Sequence, residues 1–183
     1  MPIAKLTASA LFTALIAVLA QVAIPLPFSP VPFTGQVVGV LIAGALLGPR
    51  AGILTIIAYL LLGAAGAPVF SMARGGIYML TGPTGGYLWG FIPAVLITGL
   101  LMKKYYKNSY VLNAVSLLPA IFFIYLFGSL QLALLMQYSI KQVLLVGVLP
   151  FIPFDLLKVL LAAALSTQIK KSLQHNGLGH ILN

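Results

Sequence analysis

Apolar residues fall in long runs separated by short clusters of Pro, Gly, Lys and Arg. Measured against the ~20 apolar residues that cross a bilayer, the pattern predicts spans at about residues 6–24, 35–48, 51–63, 87–102, 111–135 and 154–169. The first is led by Lys5 and reads as a plain transmembrane helix rather than a signal peptide, because further spans follow. Pro25, Pro27, Pro30 and Pro32 end it and predict an irregular stretch to Thr34, since such spacing cannot continue a helix. Gly48-Pro49-Arg50 is a turn signal between the second and third spans. Residues 64–86 are too polar and too broken by glycine to cross. Residues 137–153 hold too few consecutive apolar positions and read as a loop with a short interfacial helix.

The expected fold is therefore an all-α integral membrane protein. It is a bundle of six transmembrane helices over residues 1–172, with outer loops capping a substrate cavity, followed by a mobile cytoplasmic tail at 173–183. Composition agrees: 61% of the 183 residues are hydrophobic and 6% are charged, against ~25% charged in a soluble domain. No soluble globule of this size could cover its surface so sparsely. The absence of Cys excludes disulfides and thiolate metal sites. Only two His occur, His175 and His180, both near the end, so no metal site is expected.

The net charge of +9 does not point to nucleic acid, because the ten basic residues are scattered and sit mostly at the ends of apolar runs. With the N-terminus inside, Lys5, Arg50, Lys103, Lys104, Lys107, Lys170 and Lys171 are cytoplasmic, and only Arg74 and Lys141 lie outside. This bias predicts that both termini are cytoplasmic. Tyr87 and Trp89 are expected in the outer aromatic belt, with Tyr105, Tyr106 and Tyr110 in the inner one. The three irregular segments, residues 25–34, 64–86 and 137–153, then share the outer face. Irregular backbone is tolerated near a membrane where protein buries it or water reaches it, so a cavity is expected there.

Asp155 is the only acid in the chain. It stands three residues before Lys158 in Pro153-Phe154-Asp155-Leu156-Leu157-Lys158, so both share one helical face. Pro153 suits a helix first turn. Ionisable groups inside a membrane are costly, which leaves two readings: a structural ion pair, or a pair facing a polar ligand. Pro32-Phe33-Thr34-Gly35-Gln36 opens the second span. Thr34 reads either as a helix cap or as a ligand contact, and Gln36 as a neutral donor–acceptor one turn in. Arg74 reads as an interfacial charge or as the partner of an anionic group. Tyr87 closes Gly82-Pro83-Thr84-Gly85-Gly86-Tyr87. Small residues repeat at Ala4/Ala8, Ala10/Ala14 and Gly44/Gly48/Gly52, spacing that suits close helix packing in the bundle or docking of another membrane protein.

The motifs at 32–36, 82–87 and 153–158, in this order, resemble those of the BioY family. These are the biotin-binding S components of energy-coupling factor transporters. The resemblance covers roughly residues 5–172. It implies a six-helix fold with an outward-facing vitamin site closed by outer loops, in a prokaryotic cell membrane. It implies a ligand pair at Asp155 and Lys158, with Arg74, Thr34, Gln36 and Tyr87 as further candidate contacts. It also implies that Ala10 and Ala14 on the first helix meet the transmembrane coupling subunit, beside two ATPase subunits. Biotin is then the transported substrate; no cofactor and no nucleic-acid partner are implied. Biotin also fits the residue inventory. Its ureido ring carries two N–H donors and one acceptor, its carboxylate needs a cation, and its remainder needs apolar walls.

Three other readings stay open: a stand-alone vitamin transporter, ion-coupled or facilitative; a channel; and a membrane-embedded enzyme. Against the enzyme, there is no second carboxylate for acid–base work. Against ion coupling, no inverted repeat with paired broken helices is visible.

Overall fold

A computed structural model describes residues 2–107 and 109–176. Helix α1 spans Ile3–Gln21 and is followed by strands β1 (Ala23–Leu26) and β2 (Ser29–Thr34). Then come α2 (Gln36–Ala64), a single 3-10 turn at Ser71–Ala73, and the short α3 (Tyr78–Thr81). Helices α4 (Gly85–Tyr105), α5 (Tyr110–Met136), α6 (Ile140–Gly147) and α7 (Ile152–His175) complete the described chain. Among the described residues five helices, α1, α2, α4, α5 and α7, are long and apolar enough to cross a membrane.

The expected second and third spans both lie within α2, whose 29 residues are interrupted at Gly48 (φ 74°, ψ −178°) just before Pro49. Glycine alone takes that φ without strain. The chain reverses there. The Gln36 side chain hydrogen-bonds to Tyr59, although a straight helix would set them roughly 35 Å apart. A methyl placed on Gly52 would lie 3.6 Å from the Gly44 Cα. Segments 36–47 and 49–64 thus form a helical hairpin with almost no loop.

This hairpin and α4 form the centre. α4 packs on α2 and α5, α1 packs on α2, and α7 packs on both α2 and α5. Glycines let the backbones approach: a Cβ on Gly44 would meet Thr98, and one on Gly99 would meet Pro49. Large apolar side chains such as Leu11, Leu61, Phe122, Leu134 and Leu157 remain exposed on the outside of the bundle, as a lipid-facing surface requires.

The structure departs from the sequence expectations at three points. The proline-rich stretch is an antiparallel β-ribbon, pairing Ala23 with Thr34, Ile24 with Phe33 and Leu26 with Ser29. Both strands of a two-stranded ribbon are edges, where a residue without an N–H is tolerated, and Pro25 falls at the irregularity between Ile24 and Leu26. The ribbon also ends α1 at Gln21, earlier than the expected 24. At the other terminus α7 runs on to His175, three residues past the expected tail boundary at 172; residues 177–183, with His180, lie outside the described residues. The stretch 137–153 does contain one short helix, α6, begun by a reciprocal cap between Ser139 and Gln142.

The two ends of the bundle differ. At one end, Ser9 of α1 hydrogen-bonds to the Ala51 carbonyl, Gly99 of α4 meets Pro49, and Asn113 of α5 joins the Lys107 carbonyl to Thr167 of α7 at 2.8 Å each. That end gathers Lys5, Arg50, Lys103, Lys104, Lys107, Lys170 and Lys171. The opposite end holds the ribbon, the 65–84 segment and α6. Ser29 of the ribbon donates to the Val146 carbonyl at 2.6 Å.

Candidate functional site

Beneath the ribbon, the 65–84 segment and α6 lies a partly enclosed cavity whose empty space, counting its open mouth, is about 630 Å³. Val31, Pro32 and Thr34 of β2 form one side, with Gln36 and Val37 from the start of α2. Phe70, Ser71 and Met79 come from the segment beyond α2. Tyr87, Leu88 and Phe91 line it from α4, Ile124 and Tyr125 from α5, and Phe151, Asp155 and Lys158 from the start of α7. The walls are mostly apolar and aromatic, with polar groups concentrated at a few points.

Asp155 is placed by the first turn of α7, which begins at Ile152 with Pro153 as its second residue. A carboxylate is favoured there by the helix dipole. Asp155 and Lys158 are both buried, at 5% and 8% exposure. The Lys158 Nζ donates to Asp155 Oδ1 at 2.7 Å, and the Tyr125 hydroxyl donates to Oδ2. Each carboxylate oxygen therefore has one protein donor and lone-pair capacity left. Lys158 also lies 4.0 Å from the Phe33 ring centroid, a cation–π contact. Phe33 in turn meets Phe154 edge-on, with centroids 5.1 Å apart.

A second polar group sits across the cavity. Thr34 Oγ1 donates to Gln36 Oε1 at 3.0 Å, and Gln36 Nε2 donates to the Tyr59 hydroxyl. Tyr59 donates onward to the Val69 carbonyl at 2.9 Å, and its ring meets Phe70 edge-on. The cap reading of Thr34 is not what the structure shows: the cap position is Gly35, and no side chain caps α2.

The BioY family model matches residues 1–175. The chain belongs to the BioY family. It is 41% identical over 167 residues to the biotin transporter BioY of Thermotoga maritima, covering 91% of this chain and 96% of that protein. It is 38% identical over 161 residues to a probable biotin transporter BioY of Pyrococcus horikoshii, covering 88% and 93%. Its fold matches the crystal structure of an S-component for biotin from an ECF-type ABC transporter with a TM-score of 0.85 and 30% identity, covering 91% and 90% of the two chains.

Of the six candidate residues read from the sequence of this BioY-family chain, Asp155, Lys158, Thr34, Gln36 and Tyr87 line one cavity. Arg74 does not. It is exposed, and its carbonyl accepts from the Phe70 N–H at 2.9 Å. Tyr87 is buried rather than set in an aromatic belt: its hydroxyl donates to the Gly147 carbonyl at 2.9 Å and so ties α6 to α4. The glycines before it serve packing, since a Cβ on Gly85 would meet the Leu80 backbone and one on Gly86 the Phe127 backbone. Gln131 of α5 holds this turn by donating to the carbonyls of Leu80 and Gly82. Ala10 and Ala14 are exposed on α1, away from the cavity, whereas Ser9 and Thr13 face α2.

Sequence reading missed Tyr125, Phe33 and Tyr59. Phe33 stood inside a motif that had been singled out. Tyr125 and Tyr59 lie within apolar helices, where an aromatic residue gives no local sign of facing a carboxylate or an amide.

Proposed function

We propose that this chain is the biotin-capturing subunit of a vitamin uptake transporter whose energy comes from separate ATPase and coupling subunits. The observation that carries the reading is the buried Asp155 carboxylate, held by Lys158 and Tyr125 at the wall of an apolar, aromatic cavity. Such a carboxylate suits the N–H donors of a ureido ring, Lys158 suits a ligand oxygen, and Phe91, Leu88 and Ile124 suit the sulfur ring and the aliphatic chain. A buried ion pair is a poor stabiliser compared with apolar packing, so its presence at the cavity wall is better explained by ligand recognition. Membership of the BioY family and the likeness to an S-component for biotin support the same conclusion.

In this reading the hairpin at Gly48 counts as two membrane spans, giving six in all. The end rich in Lys and Arg faces the cytoplasm together with both termini, and the cavity opens outward beneath the ribbon and the 65–84 segment. Ala10 and Ala14 form a smooth strip on α1 against which a coupling subunit's helix can pack closely. Titration calorimetry of the detergent-purified protein tests the proposal. Biotin should bind with desthiobiotin weaker and thiamine without effect; equal heats from thiamine and biotin, or none from biotin, would overturn it.

A further inference from the structure

Tyr59 is fully buried and is not among the cavity's lining residues, yet it is bonded to one of them. The Val69 carbonyl can only accept, so the Tyr59 hydroxyl must donate to it. The Tyr59 oxygen must then accept, and only the nitrogen of the Gln36 amide can supply it. That turns the Gln36 oxygen toward Thr34, whose hydroxyl donates to it. The relay thus has a single direction, from Thr34 through Gln36 and Tyr59 to Val69, imposed by one backbone carbonyl.

We infer that Tyr59 is a positioning residue for ligand recognition, fixing the Gln36 amide so that its second N–H is kept for an acceptor atom of the ligand. The inference rests on the biotin-capture reading. It assigns to Gln36 a fixed donor that a freely rotating amide would not offer. It also joins that donor to the wall segment that supplies Phe70 and Ser71, because the same Tyr59 hydroxyl holds Val69 and the Tyr59 ring, 5.4 Å from that of Phe70 and near perpendicular, holds Phe70.

The test is a double-mutant cycle on the detergent-purified full chain, reading biotin affinity and, without ligand, the thermal midpoint. Tyr59→Phe keeps the ring against Phe70 and removes only the hydroxyl. Gln36→Met keeps length and removes the amide. Tyr59→Phe should weaken biotin binding roughly three- to tenfold, the range of one lost hydrogen bond. In the Gln36→Met background the same change should cost less than about twofold, because its effect runs through the amide. A Tyr59→Phe loss of equal size in both backgrounds would overturn the inference and leave Tyr59 as a prop for the 69–71 wall. Wild-type affinity in Tyr59→Phe would overturn it as well. A wild-type protein that binds no biotin instead defeats the functional reading and with it the use assigned to the relay; non-additive thermal midpoints would then still show that the relay exists.

Discussion

Lys158 sits between a carboxylate and a ring: its ammonium is 2.7 Å from Asp155 Oδ1 and 4.0 Å from the centroid of Phe33. The β-ribbon and α7 are thereby joined through one charge. An ammonium has three donors, and these contacts use two directions, leaving the third for a ligand oxygen. Phe33→Leu should keep the ribbon apolar while removing the ring beneath the charge. It is expected to weaken biotin binding by about two- to fivefold, the size of a cation–π contact of ~0.5–1 kcal/mol. Calorimetry against the wild type checks it.

Asp155→Asn keeps size but replaces one acceptor oxygen by a donor that opposes a ureido N–H. Affinity should fall at least about tenfold, since a charge-assisted hydrogen bond is worth ~1.5–3 kcal/mol and 1.4 kcal/mol is one decade. Each single change, Asp155→Asn or Lys158→Met, also leaves an unpaired buried group and should lower the thermal midpoint. The double variant should recover the midpoint but not the affinity. Wild-type affinity in the double variant would show that the pair is structural only.

Tyr125→Phe removes the donor to Asp155 Oδ2 and nothing else from the wall. The carboxylate is then free to turn about its remaining contact with Lys158. Biotin affinity should drop by about tenfold while far-ultraviolet circular dichroism stays unchanged.

The sequence pattern made the helices and the chemical end of the bundle legible. Lengths of apolar runs located every long helix, and the lone acid with its lysine marked the cavity wall. Less visible was how non-local pairing would use residues of ordinary appearance. Four prolines between 25 and 32 spoke against helix and could not reveal a ribbon, because pairing Ala23 with Thr34 is not a local property. Arg74 could be read as the partner of an anionic group, but the backbone bridges Phe70 to Arg74 and leaves Arg74 exposed, outside the cavity lining. Tyr125 and Gln131 came to matter only when α5 was placed beside α7 and the Gly82 turn.

Gly128→Ala provides a test of packing around Tyr87. A Cβ there would run into the Tyr87 ring, and one on Gly147 would meet its hydroxyl. Overpacking of this kind costs ~1–3 kcal/mol. Gly128→Ala and Gly147→Ala should each lower the thermal midpoint and weaken biotin binding through the displaced ring, whereas the more exposed Ser116→Ala on α5 should change neither.

Ala10→Leu with Ala14→Leu should leave biotin binding by the isolated chain intact, because both positions are exposed on α1. Co-purification with a coupling subunit should be lost. Lost binding with assembly preserved would make this strip part of the bundle's own packing. Orientation is checked separately: cysteines at Met72 and Lys104, both exposed, should react with impermeant reagents from opposite sides of the membrane.

The chain spends its only acidic side chain inside the cavity wall. No aspartate or glutamate is left to offset the basic side chains at the surface, so the exterior carries a potential of one sign. Lipid phosphates and mobile anions must supply the balancing charge, and their density around the two ends is set by ionic strength over a range of ~8 Å at physiological salt. A negatively charged vitamin approaching this surface meets attraction before any contact forms. The capture rate should then fall as salt rises, even where the affinity set by the buried Asp155 and Lys158, screened from solvent ions, changes less.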